Sequence, residues 1–118
     1  MLARREVKGN IMDISSLHSP LVRRAIEALN DERLDDFMAL FAHDAIVIDG
    51  PTYHGTKAIR AWMQRENIGV HMRIHVIREK DAEGMIVEIQ AASQGGYSGP
   101  GTFSFTAHNG LLTRLEIS

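Results

Sequence analysis

The sequence predicts an α+β domain in which three helices from the first half pack on one face of an antiparallel sheet. Two observations predict this fold class. Between residues 19 and 67, apolar residues recur every three or four positions in three segments, which is the period of a helix. After residue 70 the apolar period becomes two, which is typical of strands with one buried face. Helices grouped against such a sheet make an α+β fold.

The three helices are predicted from their caps and their apolar stripes. The first begins at Ser19, because serine caps a helix and Pro20 fits the first turn. The second covers "ERLDDFMALF" and the third covers "GTKAIRAWMQREN". The predicted stripes are Val22, Ala25, Ile26 and Leu29, then Leu34, Phe37, Met38 and Phe41, then Ala58, Ile59, Trp62 and Met63. We interpret Met38 and Met63 as residues that fill the core.

Five strands are predicted. The β-branched run "AIVID" lies between the second and third helices. The others are "VHMRIHVIRE", "MIVEIQAAS", "TFSFTA" and "LLTRLEIS", separated by turn residues, and they form an antiparallel meander. Their apolar sides are predicted to be Met72, Ile74, Val76, Val87, Ile89, Ala91, Phe103, Phe105, Leu111, Leu115 and Ile117.

Length and composition limit the function classes. The 118 residues predict one domain over 16–118, with a flexible leader over 1–15 that lacks the apolar stretch of a secretory signal. A net charge of −2 gives no electrostatic footprint for nucleic acid or an anionic membrane, so neither is expected as a partner. No apolar run approaches the roughly 18 residues of a membrane span. The absence of cysteine excludes a thiolate metal site and fits the cytoplasmic location that we expect.

Three stretches resemble the nuclear transport factor 2-like superfamily, which includes the SnoaL-like polyketide cyclases and the ketosteroid isomerases. They are "LFAHDAIVID", "YHGTKAIRAW" and the ending "HNGLLTRLEI". The resemblance covers most of the chain and implies a cone-shaped curved sheet wrapped around the helices, with an apolar pocket. It also implies a homodimer. It says little about activity, because this superfamily hosts unrelated chemistries and proteins that are not enzymes.

Asp49 is the strongest candidate for a catalytic residue. In the ketosteroid isomerase relatives, the general base lies at the end of the first strand, a few residues before a helix that begins with glycine. Asp49 in "IVIDGPTYHG" occupies the matching position. A carboxylate at an apolar cavity wall has a raised pKa, which suits proton transfer near neutral pH. The alternative is a turn residue, because aspartate before Gly-Pro bonds the backbone N–H groups that follow.

The resemblance also implies groups that this sequence lacks. In the isomerases, a tyrosine on the first helix and a protonated aspartate on a late strand donate hydrogen bonds to the developing enolate. The matching positions here are Ala25 and either Gly101 or Thr102, so steroid isomerisation is not expected. The substitute donors that the sequence offers are Tyr53, His54, Tyr97 and the indole of Trp62.

The polar side of the meander carries two histidines. On a strand, His71 and His75 would lie about 13 Å apart, which is too far for one ion, and no third ligand is evident. We therefore expect no metal and interpret His71, Arg73 and His75, opposite Glu88 and Gln90, as polar pairing on the outer face. If that face pointed inward instead, these residues would form the site.

The predicted binding site is an apolar pocket with Asp49 at its mouth. Trp62 is interpreted as a core residue whose edge lines the pocket, and "GGYSGPG" as a mobile rim that carries Tyr97. No dinucleotide or phosphate motif is present, so we expect no cofactor. Two functions stay open: a cofactor-free isomerase, cyclase, dehydratase or hydrolase acting on an apolar small molecule, or a non-catalytic ligand-binding or dimeric accessory module. The predicted pocket residues are Phe37, Phe41, Tyr53, His54, Trp62, Tyr97, Phe103 and Phe105.

Overall fold

Three helices and six strands make up residues 11–118, the part of the chain that the computed structural model describes. The helices are α1 (Pro20–Asn30), α2 (Leu34–Met38) and α3 (Gly55–Glu66). The strands are β1 (Phe41–Asp49), β2 (Thr52–His54), β3 (Arg73–Glu79), β4 (Ile86–Ala92), β5 (Gly99–His108) and β6 (Leu111–Ile117). The helices pack against one curved, unclosed sheet, which confirms the predicted α+β fold.

The strand order in the sheet is β2-β1-β6-β5-β4-β3. Strands β3 to β6 form the predicted antiparallel meander. Strand β1 joins this meander parallel to β6, so that the ends of both strands lie together at Asp49 and Ile117. The three-residue β2, too short to show an apolar period, was not predicted, and it adds an antiparallel edge to β1.

Two sequence predictions need correction at the ends of elements. Helix α2 ends at Met38, and Phe41 opens β1 instead of lying on the helix, because the chain leaves α2 to pair with β6 through Leu40. In β6 the buried residue is Leu112, whereas Leu111 is 39% exposed. A register shift between Thr106 and Ala107 causes this difference, since one extra residue moves side chains to the opposite face of the sheet.

The core lies between the helices and the concave side of the sheet. Ser19 caps α1 by accepting a hydrogen bond from the backbone N–H of Val22, as predicted. The apolar stripe of α1 is fully buried, and Met63 is buried whereas Met38 and Ala58 are partly buried. Within residues 11–118, no helix is long and apolar enough to span a bilayer.

The free edge of β3 is covered by residues from outside the sheet. The Asn30 amide accepts from the Ile74 N–H at 2.7 Å and donates to the Ile74 carbonyl at 2.9 Å. Met12 donates its backbone N–H to the Val76 carbonyl at 2.7 Å, so contact with the domain begins before residue 16. Residues 1–10 of the predicted leader lie outside the described residues. These contacts satisfy an edge that would otherwise invite pairing with another chain.

Candidate functional site

A cavity of about 280 Å³ opens between the end of β1, the end of α3 and the concave faces of β3, β4 and β5. Most of its lining is apolar, which suits a small organic ligand. The residues that line it are Asp49, Trp62, Glu66, Asn67, Met72, Ile74, Ile89, Ala91, Tyr97, Pro100, Gly101, Phe103, Ile117 and Ser118.

Asp49 is the last residue of β1 and lies half-buried at this cavity. A tight turn follows it, in which the Asp49 backbone N–H donates to the Pro51 carbonyl at 2.8 Å and Gly50 adopts a φ of 74°. Its carboxylate Oδ2 accepts a hydrogen bond from the Trp62 indole Nε1 at 2.9 Å. Within residues 11–118 no backbone N–H donates to this carboxylate, so the side chain does not make the turn bond that the alternative prediction requires.

Trp62 connects the core to the cavity. It is 1% exposed, and its ring lies 6.3 Å from Phe37 and 6.4 Å from Tyr53 between centroids. Its edge carries the N–H that holds Asp49 and lines the cavity. The helical spacing of α3 therefore buries the ring and presents the indole nitrogen to the end of β1.

Tyr97 and Phe103 are the other two predicted pocket residues that line the cavity. Phe103 is buried in β5, whereas Tyr97 is 58% exposed at the rim. The Tyr97 hydroxyl donates to the Pro100 carbonyl, and its ring lies over Gly99, where a Cβ atom would collide with it. Strand β5 begins at Gly99, so the glycine-rich loop is shorter than predicted.

Five predicted pocket residues lie elsewhere, which corrects the predicted wall. Phe37 and Phe41 pack together behind Trp62, with ring centroids 4.9 Å apart, and Phe105 is a core residue beside Phe103. Tyr53 stacks under the Arg65 guanidinium, and His54 is exposed before α3. The sequence pattern identified these aromatic residues as apolar but could not separate core from cavity, since both environments select the same residue types.

Asn67 is a buried polar residue of the cavity that the sequence prediction missed. It follows α3 directly and is 5% exposed. Its Nδ2 is buried without a hydrogen-bond partner in the described part of the chain. An asparagine after a helix is usually a cap or turn residue, so nothing in the sequence distinguished it. Its neighbour Glu66, also missed, is exposed and pairs with Arg65 at 2.9 Å.

The positions that match the isomerase donors carry no donor side chain to the cavity. Ala25 is 1% exposed in the core, Gly101 lines the cavity without a side chain, and Thr102 pairs with Ser118 through backbone hydrogen bonds. The indole of Trp62 is engaged by Asp49. The cavity therefore differs in its donor set from the pattern that the resemblance implied.

The polar side of the meander faces away from the cavity. His75 is exposed opposite Gln90, and Glu88 lies opposite Arg78 with an ion pair at 3.2 Å. His71 is not on the strand as predicted: it precedes β3 with a left-handed φ of 51° and contacts Glu32 at 2.8 Å. Over residues 11–118, no three histidine, aspartate or glutamate side chains cluster as metal ligands do.

Comparison with known proteins gives consistent results. A SnoaL-like domain model matches residues 22–115. A proposed polyketide cyclase from Sinorhizobium meliloti is 24% identical, with a TM-score of 0.80 over 91% of this chain and 100% of that one. A proposed ketosteroid isomerase from Kribbella flavida is 20% identical, with a TM-score of 0.71 over 85% and 75%. No curated protein sequence matches this chain.

A third similar structure is a Mycobacterium tuberculosis protein in complex with estradiol-17beta-hemisuccinate. It is 15% identical, with a TM-score of 0.71 over 82% of this chain and 88% of that one. At these identities the structures establish a shared fold, while the domain model covers most of the chain. The chain therefore belongs to the SnoaL-like domain family.

Proposed function

We propose that this protein binds an apolar small molecule that bears a carbonyl group, and that Asp49 moves a proton on it as a general acid and base. The observation that carries the proposal is the Asp49 carboxylate on the wall of a mainly apolar cavity, held through one oxygen by Trp62. No cofactor enters this proposal. Isomerisation, cyclisation, dehydration and hydrolysis all begin or end with such a transfer.

The hydrogen bond from Trp62 suits a general base. An indole N–H is a neutral donor, so it fixes the orientation of the carboxylate without bringing a positive charge to it. Oδ2 is engaged at 2.9 Å, whereas Oδ1 accepts no hydrogen bond from the described residues. Oδ1 is therefore the oxygen available to a ligand proton. A base must come within hydrogen-bond reach of the proton that it removes.

The size of the cavity favours a small ligand. Ligand pockets span roughly 300–1,000 Å³, so a volume of about 280 Å³ lies just below this range. The steroid derivative in the Mycobacterium tuberculosis relative shows that this fold holds fused-ring molecules. We therefore propose a ligand with a single ring or two fused rings inside the cavity. Any larger part of the ligand would extend past Tyr97 into solvent.

The second candidate function is a binding or dimeric accessory module without catalysis. The absence of donor side chains at Ala25 and Gly101 favours it, because a base works poorly when nothing stabilises the enolate. In both candidates we propose a homodimer formed through the polar outer face of the sheet. The cytoplasmic location stays a prediction from the sequence.

Proton exchange separates the two candidates without knowledge of the natural substrate. Indanone, a fused bicyclic ketone, is incubated with the protein in D₂O, and deuterium uptake is followed by mass spectrometry. Asp49 would take the proton from the carbon beside the carbonyl, leaving the electron pair on the enolate, and return a deuteron from solvent. We expect faster exchange than in buffer, and a loss of at least about tenfold in Asp49→Asn.

The control variant is Asp44→Asn, which changes an exposed carboxylate in the same strand, β1. It should exchange deuterium at the wild-type rate. Exchange at the buffer rate with wild-type protein, while indanone binds, would favour the binding module. Equal exchange by wild type and Asp49→Asn would remove Asp49 from the proposed mechanism.

A further inference from the structure

Asn67 carries the one buried side-chain nitrogen or oxygen in residues 11–118 that has no hydrogen-bond partner. Three other polar side chains of the cavity lining already have hydrogen-bond or ion-pair partners. Trp62 donates to Asp49, Glu66 pairs with Arg65, and the Tyr97 hydroxyl donates to the Pro100 carbonyl. The proposed function has so far given Asn67 no role.

The local backbone does not explain this side chain. The Asn67 backbone N–H donates to the Met63 carbonyl at 3.1 Å, and its carbonyl accepts from the Met72 N–H at 2.9 Å. The backbone polar groups of Asn67 at the end of α3 are thus hydrogen-bonded to other main-chain groups, and most residue types at this position would form the same bonds. The side-chain amide contributes no described hydrogen bond to the helix end, yet it is buried at a cavity that is otherwise mostly apolar.

A buried donor without a partner is unfavourable, and native proteins rarely keep one without a compensating role. A ligand that brings an acceptor oxygen into the cavity would supply the missing partner. We propose that the Asn67 amide donates a hydrogen bond to the carbonyl oxygen of the bound ligand. This inference rests on the proposed function and adds the ligand-binding donor that it lacked.

Asp49 and Asn67 would act on different atoms of the ligand. The Asp49 carboxylate accepts a proton from the carbon beside the carbonyl, and the electron pair moves to the oxygen. The Asn67 N–H holds that oxygen as it becomes negative. A neutral amide stabilises the developing charge without adding a cation that would weaken Asp49 as a base. The ligand class is therefore a ketone or ester with an acidic C–H on an apolar skeleton.

Two probes of matched shape test the donor. Indanone carries the carbonyl oxygen, and methyleneindane replaces it with a CH₂ group. Binding is followed by ¹⁵N NMR on the full chain, with the indole signal of Trp62, the single tryptophan, as the reporter of cavity occupancy. The variants are Asn67→Leu and Asn67→Asp, which removes both N–H donors at similar shape. Met72→Leu is the control, because it alters the same lining without changing its hydrogen bonds.

We expect wild type and Met72→Leu to bind indanone about tenfold more tightly than methyleneindane, the ratio expected for one hydrogen bond. The side-chain amide signals of Asn67 should shift with indanone only. In Asn67→Leu the two probes should bind equally. If the leucine variant does not fold, Asn67→Asp at neutral pH should bind indanone no more tightly than methyleneindane, because a carboxylate only accepts hydrogen bonds and repels the carbonyl oxygen.

Two other outcomes have distinct meanings. If indanone keeps its preference in both Asn67 variants, the inference is overturned while the proposed function survives. If neither probe moves the Trp62 indole signal in wild type, the ligand role of the cavity is contradicted and the proposed function falls with the inference.

Discussion

The hydrogen bond between Trp62 and Asp49 is the residue-scale contact on which the site depends. It links the end of β1 to the middle of α3, two elements that the sequence predicted separately. The aspartate and the tryptophan were both identified from sequence. Their contact was not, because it depends on the packing angle of α3 against the sheet, which no apolar period encodes.

Substitutions at Asp49 should separate the hydrogen bond from the charge. Asp49→Asn keeps an acceptor for the Trp62 indole, so we expect its free energy of unfolding to stay near wild type. Asp49→Leu leaves a buried N–H unpaired and should cost about 1–3 kcal/mol. Urea unfolding at neutral pH measures both. Equal stability of the two variants would show that the indole does not depend on this acceptor.

Removal of the Asn67 side-chain amide, in contrast, should not reduce the stability of the protein. Because its amide nitrogen is buried without a described partner, Asn67→Leu should leave the free energy of unfolding unchanged or raise it by about 1 kcal/mol. Thermal unfolding without ligand measures this, with Met72→Leu as the control at the same cavity. A loss of stability in Asn67→Leu but not in Met72→Leu would mean that the side chain serves the fold.

At the scale of elements, side chains form hydrogen bonds with backbone groups that have no partner in a neighbouring strand or helix. The edge strand β3 receives the Asn30 amide from the end of α1, and the Glu79 carboxylate at its far end accepts the backbone N–H of His18 at 2.8 Å. The types of all elements except the three-residue β2 followed from the sequence, because each has a clear apolar period or a β-branched run. These contacts between elements did not, since their partners are 44 and 61 positions apart.

Asn30→Ala should weaken the attachment of β3. The Ile74 N–H and carbonyl both lose their side-chain partner in a partly buried setting, so we expect a cost of about 1–3 kcal/mol. Asn30→Asp keeps the acceptor for the Ile74 N–H, so its free energy of unfolding should lie between those of wild type and Asn30→Ala. Hydrogen exchange of the Ile74 amide should quicken before that of buried amides in β5. Unchanged exchange at Ile74 would contradict this role of Asn30.

The Glu79 contact should make stability sensitive to acid. The backbone N–H of His18 holds the pKa of Glu79 below its ordinary 4.5, with a further contribution from the His18 ring and opposed by burial. A lowered folded pKa adds stability that is fully present above about 4.5 and is lost as pH falls through the folded value. Glu79→Gln should therefore lose less stability than wild type between neutral pH and pH below 4.5. An identical pH profile would contradict this contribution.

At the scale of the whole molecule, the curved sheet and α3 enclose a cavity next to a well-packed core. The fold class, the meander and the family followed from apolar periods and three short stretches. The residues that line the cavity were predicted only in part. Asp49, Trp62, Tyr97 and Phe103 line it, whereas Phe37, Phe41 and Phe105 fill the core. An apolar period marks the core and the cavity wall alike, so the sequence could not separate the two groups.

The most direct test of the account is to locate a ligand. A crystal structure of the full chain with bromoindanone would mark the ligand by the anomalous signal of its bromine. We predict one site between Trp62 and Phe103, with the ketone oxygen at Asn67 and the adjacent carbon facing Asp49. Bromine on the outer face of the sheet alone, with the cavity empty at saturating ligand, would contradict the account.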